Sequence, residues 1–363
     1  MHQDVAVVFG TRPEIVKLGG IIARLDHPLV VHTGQHWSPA LADTFLRDLA
    51  IGNPDVQLAI GGTSRGAQIG EGTAALDRLF AERRPRAVVV QGDTNTALAG
   101  ALAANASGIP LVHVEAGLRS FDPAMPEEHN RVLIDHIADL LLAPTEQSRE
   151  HLLREGIDPK RIVVTGNTVV ESVTALLPDA SARRVLLGAH GLESDAFVLA
   201  TFHRPENVDD PEHLGLILRA LASLPLPVLL PIHPRTAQRA AAFGFGAQLA
   251  ALQICEPLPY ADFLGLAAEA ALLVSDSGGL QEESSVLKRP VIVVRNSTER
   301  PEVIGTFATR VLPGPDIERT ARELLVDLPG LLARLAAQPS PYGDGHASEY
   351  SVRAITELLA TAG

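Results

Sequence analysis

Between Val274 and Ser284 the chain runs through Val274-Ser-Asp-Ser-Gly-Gly-Leu-Gln-Glu-Glu-Ser284: a strand end, a small-residue turn and a helix start in immediate succession. Gly278 and Gly279 place no side chain between an anion and the backbone N–H groups of such a turn, which lie at the positive end of the helix dipole. Glu283 follows Gly279 by four residues, one helical turn on, and faces back toward the turn. A carboxylate there accepts two hydrogen bonds and suits a ribose diol better than a phosphate. Together these residues point to a nucleotide diphosphate. A Gly-Gly turn opening a buried helix is also ordinary packing, so both readings stay open on this stretch alone.

A second anion turn, Gly10-Thr-Arg-Pro-Glu14, directly follows the first strand-like run. Thr11 can cap a helix, Pro13 suits an early helical position, and Arg12 projects from the turn. Lys17, one turn on, is a phosphate contact or a solvated helix charge. Three carboxylates also stand just after strands or at a helix start: Asp93 in Gln91-Gly-Asp-Thr-Asn-Thr96, Glu115 in His113-Val-Glu-Ala-Gly-Leu-Arg119, and Glu127 in Pro126-Glu-Glu-His-Asn-Arg131. Each has a plain alternative: Asp93 as a helix cap, Glu115 paired with Arg119, Glu127 with Arg131. Three at equivalent positions favour acid/base chemistry, because neighbouring carboxylates push their pKa values apart.

Among the 13 histidines, His203 in Thr201-Phe-His-Arg-Pro-Glu-Asn207 stands at a strand end. With Arg204 it can hold a diphosphate and protonate a departing oxygen, Glu206 orienting one of them. His233 also ends a strand. The His113-Val-Glu115 triplet resembles a zinc deaminase signature, but the downstream cysteine pair is missing, so no metal is expected.

The elements that must carry these residues are short β-branched runs alternating with longer Ala/Leu-rich amphipathic segments, the rhythm of a parallel sheet covered on both faces. Strands are expected near residues 5–9, 29–32, 87–91, 111–114 and 140–143, then 197–201, 228–232, 252–255, 271–274 and 291–294, with a further strand-like run at 162–164. Two sets of five imply two doubly wound α/β domains, with the ligand in the cleft if the sheets face one another. Both anion turns then lie at the carboxyl ends of strands, where open α/β sheets bind ligands. Ten strands and two Gly-rich turns fit a closed eight-strand barrel poorly. The seam is expected near 166–178: residues 1–167 form the first domain with the carboxylates, and 168–345 the nucleotide-binding one. A helix over 347–360 follows the last expected strand and needs a surface to pack on.

At 363 residues the chain exceeds one core, and 46% hydrophobic with 20% charged residues describes an ordinary globular protein. No apolar run approaches the ~20 residues a membrane span needs, and no basic leader precedes the first strand, so a cytoplasmic location is expected. A net charge of -13 argues against nucleic acid or an anionic membrane as partner. Cys255 is the one cysteine, which excludes an internal disulfide and suits a core position better than a nucleophile.

Nine stretches in register carry a resemblance: Gly10-Thr-Arg-Pro-Glu14, Thr33-Gly-Gln-His36, Gly92-Asp-Thr94, His113 to Arg119, Pro126-Glu-Glu128 with Asn130-Arg131, His203-Arg204 with Glu206-Asn207, Ser275 to Gly279 with Gln281-Glu-Glu283, Thr298-Glu-Arg-Pro-Glu302 and Pro341-Tyr-Gly-Asp-Gly345. Over nearly its whole length the chain resembles the UDP-N-acetylglucosamine 2-epimerase family. The resemblance implies a glycosyltransferase-B-like pair of Rossmann-like domains, with the last helix (346–363) crossing back to the first. It implies interconversion of UDP-GlcNAc and UDP-ManNAc by loss of the C2 proton, cleavage of the C1–O bond and re-addition of UDP to a 2-acetamidoglucal. No cofactor is needed for that route, and a homodimer is expected from the family.

By the same resemblance Asp93, Glu115 and Glu127 serve proton transfer and sugar binding, Arg131 positions Glu127, and His203 acts on the leaving group. Arg12, Lys17, Arg204, Tyr260 and Arg300 would hold UDP, Ser277, Gly278 and Gly279 its diphosphate, and Glu283 its ribose. The chain departs from the pattern at Ser38, beside Trp37, where some bacterial members carry a glutamine or glutamate of an allosteric site; a hyperbolic rate curve is expected. The 120–125 loop is shorter, and Lys288-Arg289 replaces Gly-Lys. A hydrolysing epimerase, a glycosyltransferase of the same fold and a nucleotide-sugar sensor remain as other readings, and the order of the carboxylates' roles stays open.

Overall fold

The structure is a computed structural model and describes residues 4–35 and 52–361; His36, Trp37 and Ser38 lie outside the described residues. The chain divides into two units, Met1–Ser172 with Tyr342–Gly363, and Val173–Pro341.

The first unit is built on β1 (Val5–Phe9), β2 (Leu29–His32), β3 (Val56–Gln57), β4 (Ala87–Gln91), β5 (Leu111–Val114), β6 (Leu140–Ala143) and β7 (Ile162–Val164). They form one parallel sheet in the order β3-β2-β1-β4-β5-β6-β7. Alternate residues of β1 enter opposite layers: Ala6 and Val8 join one buried cluster, Val5, Val7 and Phe9 the other. Both faces are covered, which is why these strands read as unbroken apolar runs.

The second unit repeats the plan with β8 (Val198–Thr201), β9 (Val228–Pro231), β10 (Gln253–Cys255), β11 (Leu272–Ser275), β12 (Val291–Val294) and β13 (Ala308–Val311), in the parallel order β10-β9-β8-β11-β12-β13. Among the described residues the expected two sets of five are thus seven and six. β3 has only two residues, neither of them buried, and β13 exposes Thr309 and Arg310 at the sheet edge. Edge strands bury one face or less, so they lack the apolar run that marks a central strand. Cys255 is half-buried at the end of β10 rather than in the core; burial, then Glu256, push its thiol pKa up, consistent with an inert side chain.

The helix Ala347–Thr361 belongs to the first unit, as expected for the returning C-terminal segment. Its Ala354 and Ile355 enter the layer that holds Val7, Phe9, Ile15 and Leu18. The incoming chain is stitched by Asn167, whose N–H donates to the Tyr342 carbonyl at 2.8 Å. Gly166 adopts φ 83 there, and a Cβ on it would stand 2.8 Å from the Tyr342 oxygen.

Candidate active site

In the first unit β1, β4 and β5 lie side by side, so their carboxyl ends bring Gly10, Gly92-Asp93 and Glu115 to one edge. The strand order reverses between β1 and β4, the switch point where open α/β sheets bind ligands. Glu115 is buried and takes a left-handed φ of 70, a conformation costing a non-glycine residue about 1–2 kcal/mol. Its carboxylate accepts from the Lys17 ammonium, the Gln91 amide and the Asn167 amide, the last at 2.8 Å. Lys17 is therefore not a solvated helix charge: it is buried and ion-paired to Glu115. Nor does Glu115 meet Arg119, which binds Asp135 and Glu155 instead.

Asp93 does not cap the following helix; Thr94 does, its hydroxyl accepting from Ala97 N at 2.9 Å. Asp93 is instead held by the Arg131 guanidinium, with Nε at 3.2 Å from Oδ2. The other arm of Arg131 binds Glu128, not Glu127, so the expectation that Arg131 positions Glu127 through a direct pair is corrected. Glu128 further accepts from Ser120 N, Ser120 Oγ and Phe121 N, each at 2.9 Å, so it is spent on shaping the 120–125 loop. Asn130 donates to the Asp93 carbonyl at 2.7 Å, which ties the helix Pro126–Ile137 to the Asp93 turn. Glu127, half-buried in the first turn of that helix, makes no side-chain hydrogen bond or ion pair among the described residues.

Glu14 joins the Gly10 turn to the Asp93 turn. It sits three residues after Thr11, where a capping-box glutamate reaches back. Its carboxylate accepts from Gly10 N at 3.1 Å, the Thr11 hydroxyl at 2.8 Å and the Thr94 hydroxyl at 2.9 Å. Burial pushes its pKa up to about 7, against the opposing pull of the Thr11, Gly10 and Thr94 donors. The unfolded chain ionises this group from about pH 4.5 while the fold keeps it protonated to about 7, so its contribution is full below 4.5 and lost as pH rises through 7. Glu14→Gln cannot ionise. Denaturation at pH 5 and pH 8 should show the variant gaining roughly 2–3 kcal/mol on the wild type over that interval; parallel pH profiles would refute the assignment.

Behind the Asp93 turn lies a fully buried polar chain. His113 places Nε2 2.8 Å from the Gly92 carbonyl and Nδ1 2.7 Å from Asp135, which also accepts from Arg119 at 2.7 Å and Gly117 N at 3.2 Å. Both partners of the His113 ring are acceptors. The chain therefore fixes the carbonyl that immediately precedes Asp93.

In the second unit β8 and β11 are neighbours at the reversal of strand order. β8 leads to His203 and Arg204, and β11 to Asp276 and the Ser277 turn. The helix Gly278–Leu287 is capped by Ser277, whose hydroxyl accepts from Leu280 N at 3.4 Å. The two glycines differ in cause. A Cβ on Gly278 would stand 2.9 Å from Glu299 Oε1, whereas one on Gly279 would meet nothing nearer than Glu283 Oε1 at 3.6 Å. Packing thus explains Gly278 but not Gly279. Glu283 is held by the Tyr260 hydroxyl at 2.6 Å. Arg300, buried, donates to Glu282 at 2.8 Å and Glu299 at 2.5 Å and lies against Gly278, so it braces the turn from behind. Arg204 is half-buried, with Nη2 3.7 Å from Glu299, and Arg12 is exposed at the first position of its helix.

Glu14, Gln91, Asn167 and Asp276 belong to these clusters without having been singled out in the sequence. Glu14 carried a signal, the Thr-x-x-Glu capping spacing, and Asp276 stands one residue past a strand. Gln91 and Asn167 carried none, since only the folded register brings them to Glu115.

A family model described as UDP-N-acetylglucosamine 2-epimerase matches residues 24–356. The UDP-N-acetylglucosamine 2-epimerase of Methanocaldococcus jannaschii is 39% identical over 98% of this chain and 99% of its own length. The UDP-2,3-diacetamido-2,3-dideoxy-D-glucuronate 2-epimerase of Pseudomonas aeruginosa is 34% identical over 98% of this chain and 100% of its own. A crystal structure of the Methanocaldococcus jannaschii UDP-GlcNAc 2-epimerase, in complex with UDP-GlcNAc and UDP, superposes with a TM-score of 0.87 at 38% identity, covering 97% of this chain and 99% of that one.

Proposed function

The chain belongs to the UDP-N-acetylglucosamine 2-epimerase family, and on that premise we propose that it interconverts UDP-GlcNAc and UDP-ManNAc without releasing a free sugar. The observation that carries the mechanism is the unequal engagement of three carboxylates in the first unit. Glu115 is bound by an ammonium and two amides, and Asp93 by a guanidinium; Glu127 alone of the three has no such partner among the described residues. Protonating Glu115 would sacrifice charge-assisted bonds, so it suits a fixed anion that orients the sugar. Glu127 is the proton acceptor at C2.

In the reaction the C2 proton passes to Glu127, the C2–H electron pair becomes the C1=C2 bond of a 2-acetamidoglucal, and the C1–O pair departs with UDP. Re-addition returns the UDP oxygen to C1 and a proton to the opposite face of C2. That face needs a second group, and Asp93, which has the Arg131 guanidinium alone where buried Glu115 has an ammonium and two amides, loses less on protonation and takes the part. C2–H is barely acidic, so departure of UDP must accompany its loss. The second unit supplies the grip: Ser277, Gly278 and Gly279 present backbone N–H groups to the diphosphate, Glu283 addresses the ribose, and His203 and Arg204 meet the phosphate charge. Lys17 and Arg300, committed to carboxylates, support Glu115 and the glycine turn. The enzyme works as a homodimer in the cytoplasm.

A proton NMR time course with UDP-GlcNAc in deuterium oxide tests this. UDP-ManNAc should appear with deuterium at C2. Retention of the original hydrogen would exclude elimination, and stoichiometric UDP with free ManNAc would establish the hydrolysing reaction instead.

A further inference from the structure

The buried carboxylate of Asp276 has no part in the chemistry above, yet it accepts from three separate residues, His203, Arg204 and Asn207. It stands one residue past β11 with its side chain fully enclosed. Oδ2 accepts from Arg204 N at 3.0 Å, Asn207 Nδ2 at 3.1 Å and His203 N at 3.2 Å. Oδ1 accepts from His203 N at 3.1 Å and lies 3.1 Å from His203 Nδ1. The same carboxylate therefore holds the backbone that carries His203 and one nitrogen of its ring. The ring itself is 42% exposed, and Nε2 makes no hydrogen bond among the described residues. Arg204, which donates to the Asp276 carbonyl at 3.1 Å, and His233, whose ring centroid is 5.8 Å away, are the other charged or titratable groups beside it.

We propose that Asp276 is the positioning residue of His203: it fixes a proton on Nδ1 and so dedicates Nε2 to the oxygen that leaves C1. A carboxylate can only accept, so Nδ1 must donate to it. With Nδ1–H so held, the doubly protonated ring donates from Nε2 to the leaving oxygen as negative charge builds during C1–O cleavage, and the Nε2 proton stays on nitrogen when UDP adds back, so no proton is gained or lost over the cycle. Burial alone would raise the Asp276 pKa, but His203, Arg204 N–H and Asn207 hold it below the usual range, which keeps the acceptor ionised. The role in turnover rests on the epimerase reading; the proton position on His203 does not.

Long-range proton–nitrogen correlation spectra of the UDP-bound wild type should show His203 protonated at Nδ1. Asp276→Asn retains the shape, but its oxygen is drawn to the three donors at the Oδ2 position, which turns the amide NH2 toward His203 Nδ1. The variant should carry its His203 proton on Nε2, lose roughly 10²-fold or more in kcat, and keep its UDP Kd and substrate KM within about threefold. A merely structural Asp276 would move Kd and folding without moving the tautomer. His203 protonated only at Nε2 in the wild type, or Asp276→Asn turning over within about threefold of wild type, overturns the proposal. If Asp276→Asn fails to fold, the wild-type spectrum alone decides. Absence of wild-type epimerisation would sink the functional reading while leaving the tautomer assignment measurable.

Discussion

Glu127→Gln is expected to lower kcat for UDP-GlcNAc epimerisation roughly 10³-fold, inside the roughly 10²–10⁴ that a positioned acid/base group contributes, with the UDP Kd unchanged. The amide is isosteric and cannot accept the C2 proton. Because Glu127 is half-buried and bound to no side chain among the described residues, the substitution breaks no ion pair, so the thermal midpoint should stay within a degree or two of wild type. Its neighbour gives the contrast. Glu128→Gln strips charge from a group that holds Arg131 and three donors of the 120–125 loop, and should lose stability and activity together. Exchange of the C2 hydrogen with solvent, followed separately from epimer formation, isolates the step. If Glu127→Gln still exchanges C2–H at more than a tenth of the wild-type rate, Glu127 is not the base.

The largest stability effect should come from Asp135→Ala. Asp135 is fully buried and faces His113, Arg119 and Gly117 N, none of which has water to turn to. Removing one member of such a cluster leaves uncompensated buried charge and costs about 3–5 kcal/mol, read as a lowered urea midpoint by circular dichroism. A loss under about 1 kcal/mol would mean that the cluster relaxes by admitting solvent. Burial pushes the Asp135 pKa up, but His113 and Arg119 more than reverse this and hold it below 3.8. Its stabilisation is therefore present at neutral pH and disappears on acidification below that value, a branch of the acid unfolding curve that Asp135→Asn should lack. Asp135→Ala also removes the partner that steadies the His113 ring against the Gly92 carbonyl, so any folded fraction should show a weakened Asp93 turn as a lower kcat.

Central strands were readable because a strand covered on both faces is apolar at every position: β4 is Ala87-Val-Val-Val-Gln91, and all five residues are buried. β3 and β13 were not, because their stabilisation comes from a neighbour's backbone rather than from their own side chains. The site was read as types and places. Carboxylates after β4 and β5, a Gly-Gly turn after β11 and a histidine after β8 are local features, and the chain order displays them. Their partners are not local: Lys17 reaches Glu115 across 98 residues, Asn167 across 52, and His203 finds Asp276 across 73.

By itself the sequence determined the two Rossmann-like units, the family, and the Ser277–Glu283 and Gly10–Glu14 turns, because periodicity, turn residues and helix-start chemistry act over a few neighbours. Tertiary structure decided which charges are spent on one another. Pro126-Glu-Glu128 offers two adjacent acids of identical chemistry, yet their neighbouring positions on the helix send Glu128 to Arg131 and the Ser120 backbone and leave Glu127 unpaired among the described residues. Ion pairing depends on distance in space and on burial, which raises the cost of an unmatched charge. Neither quantity is a property of the linear chain, so the division between anchoring and reacting carboxylates had to wait for the fold.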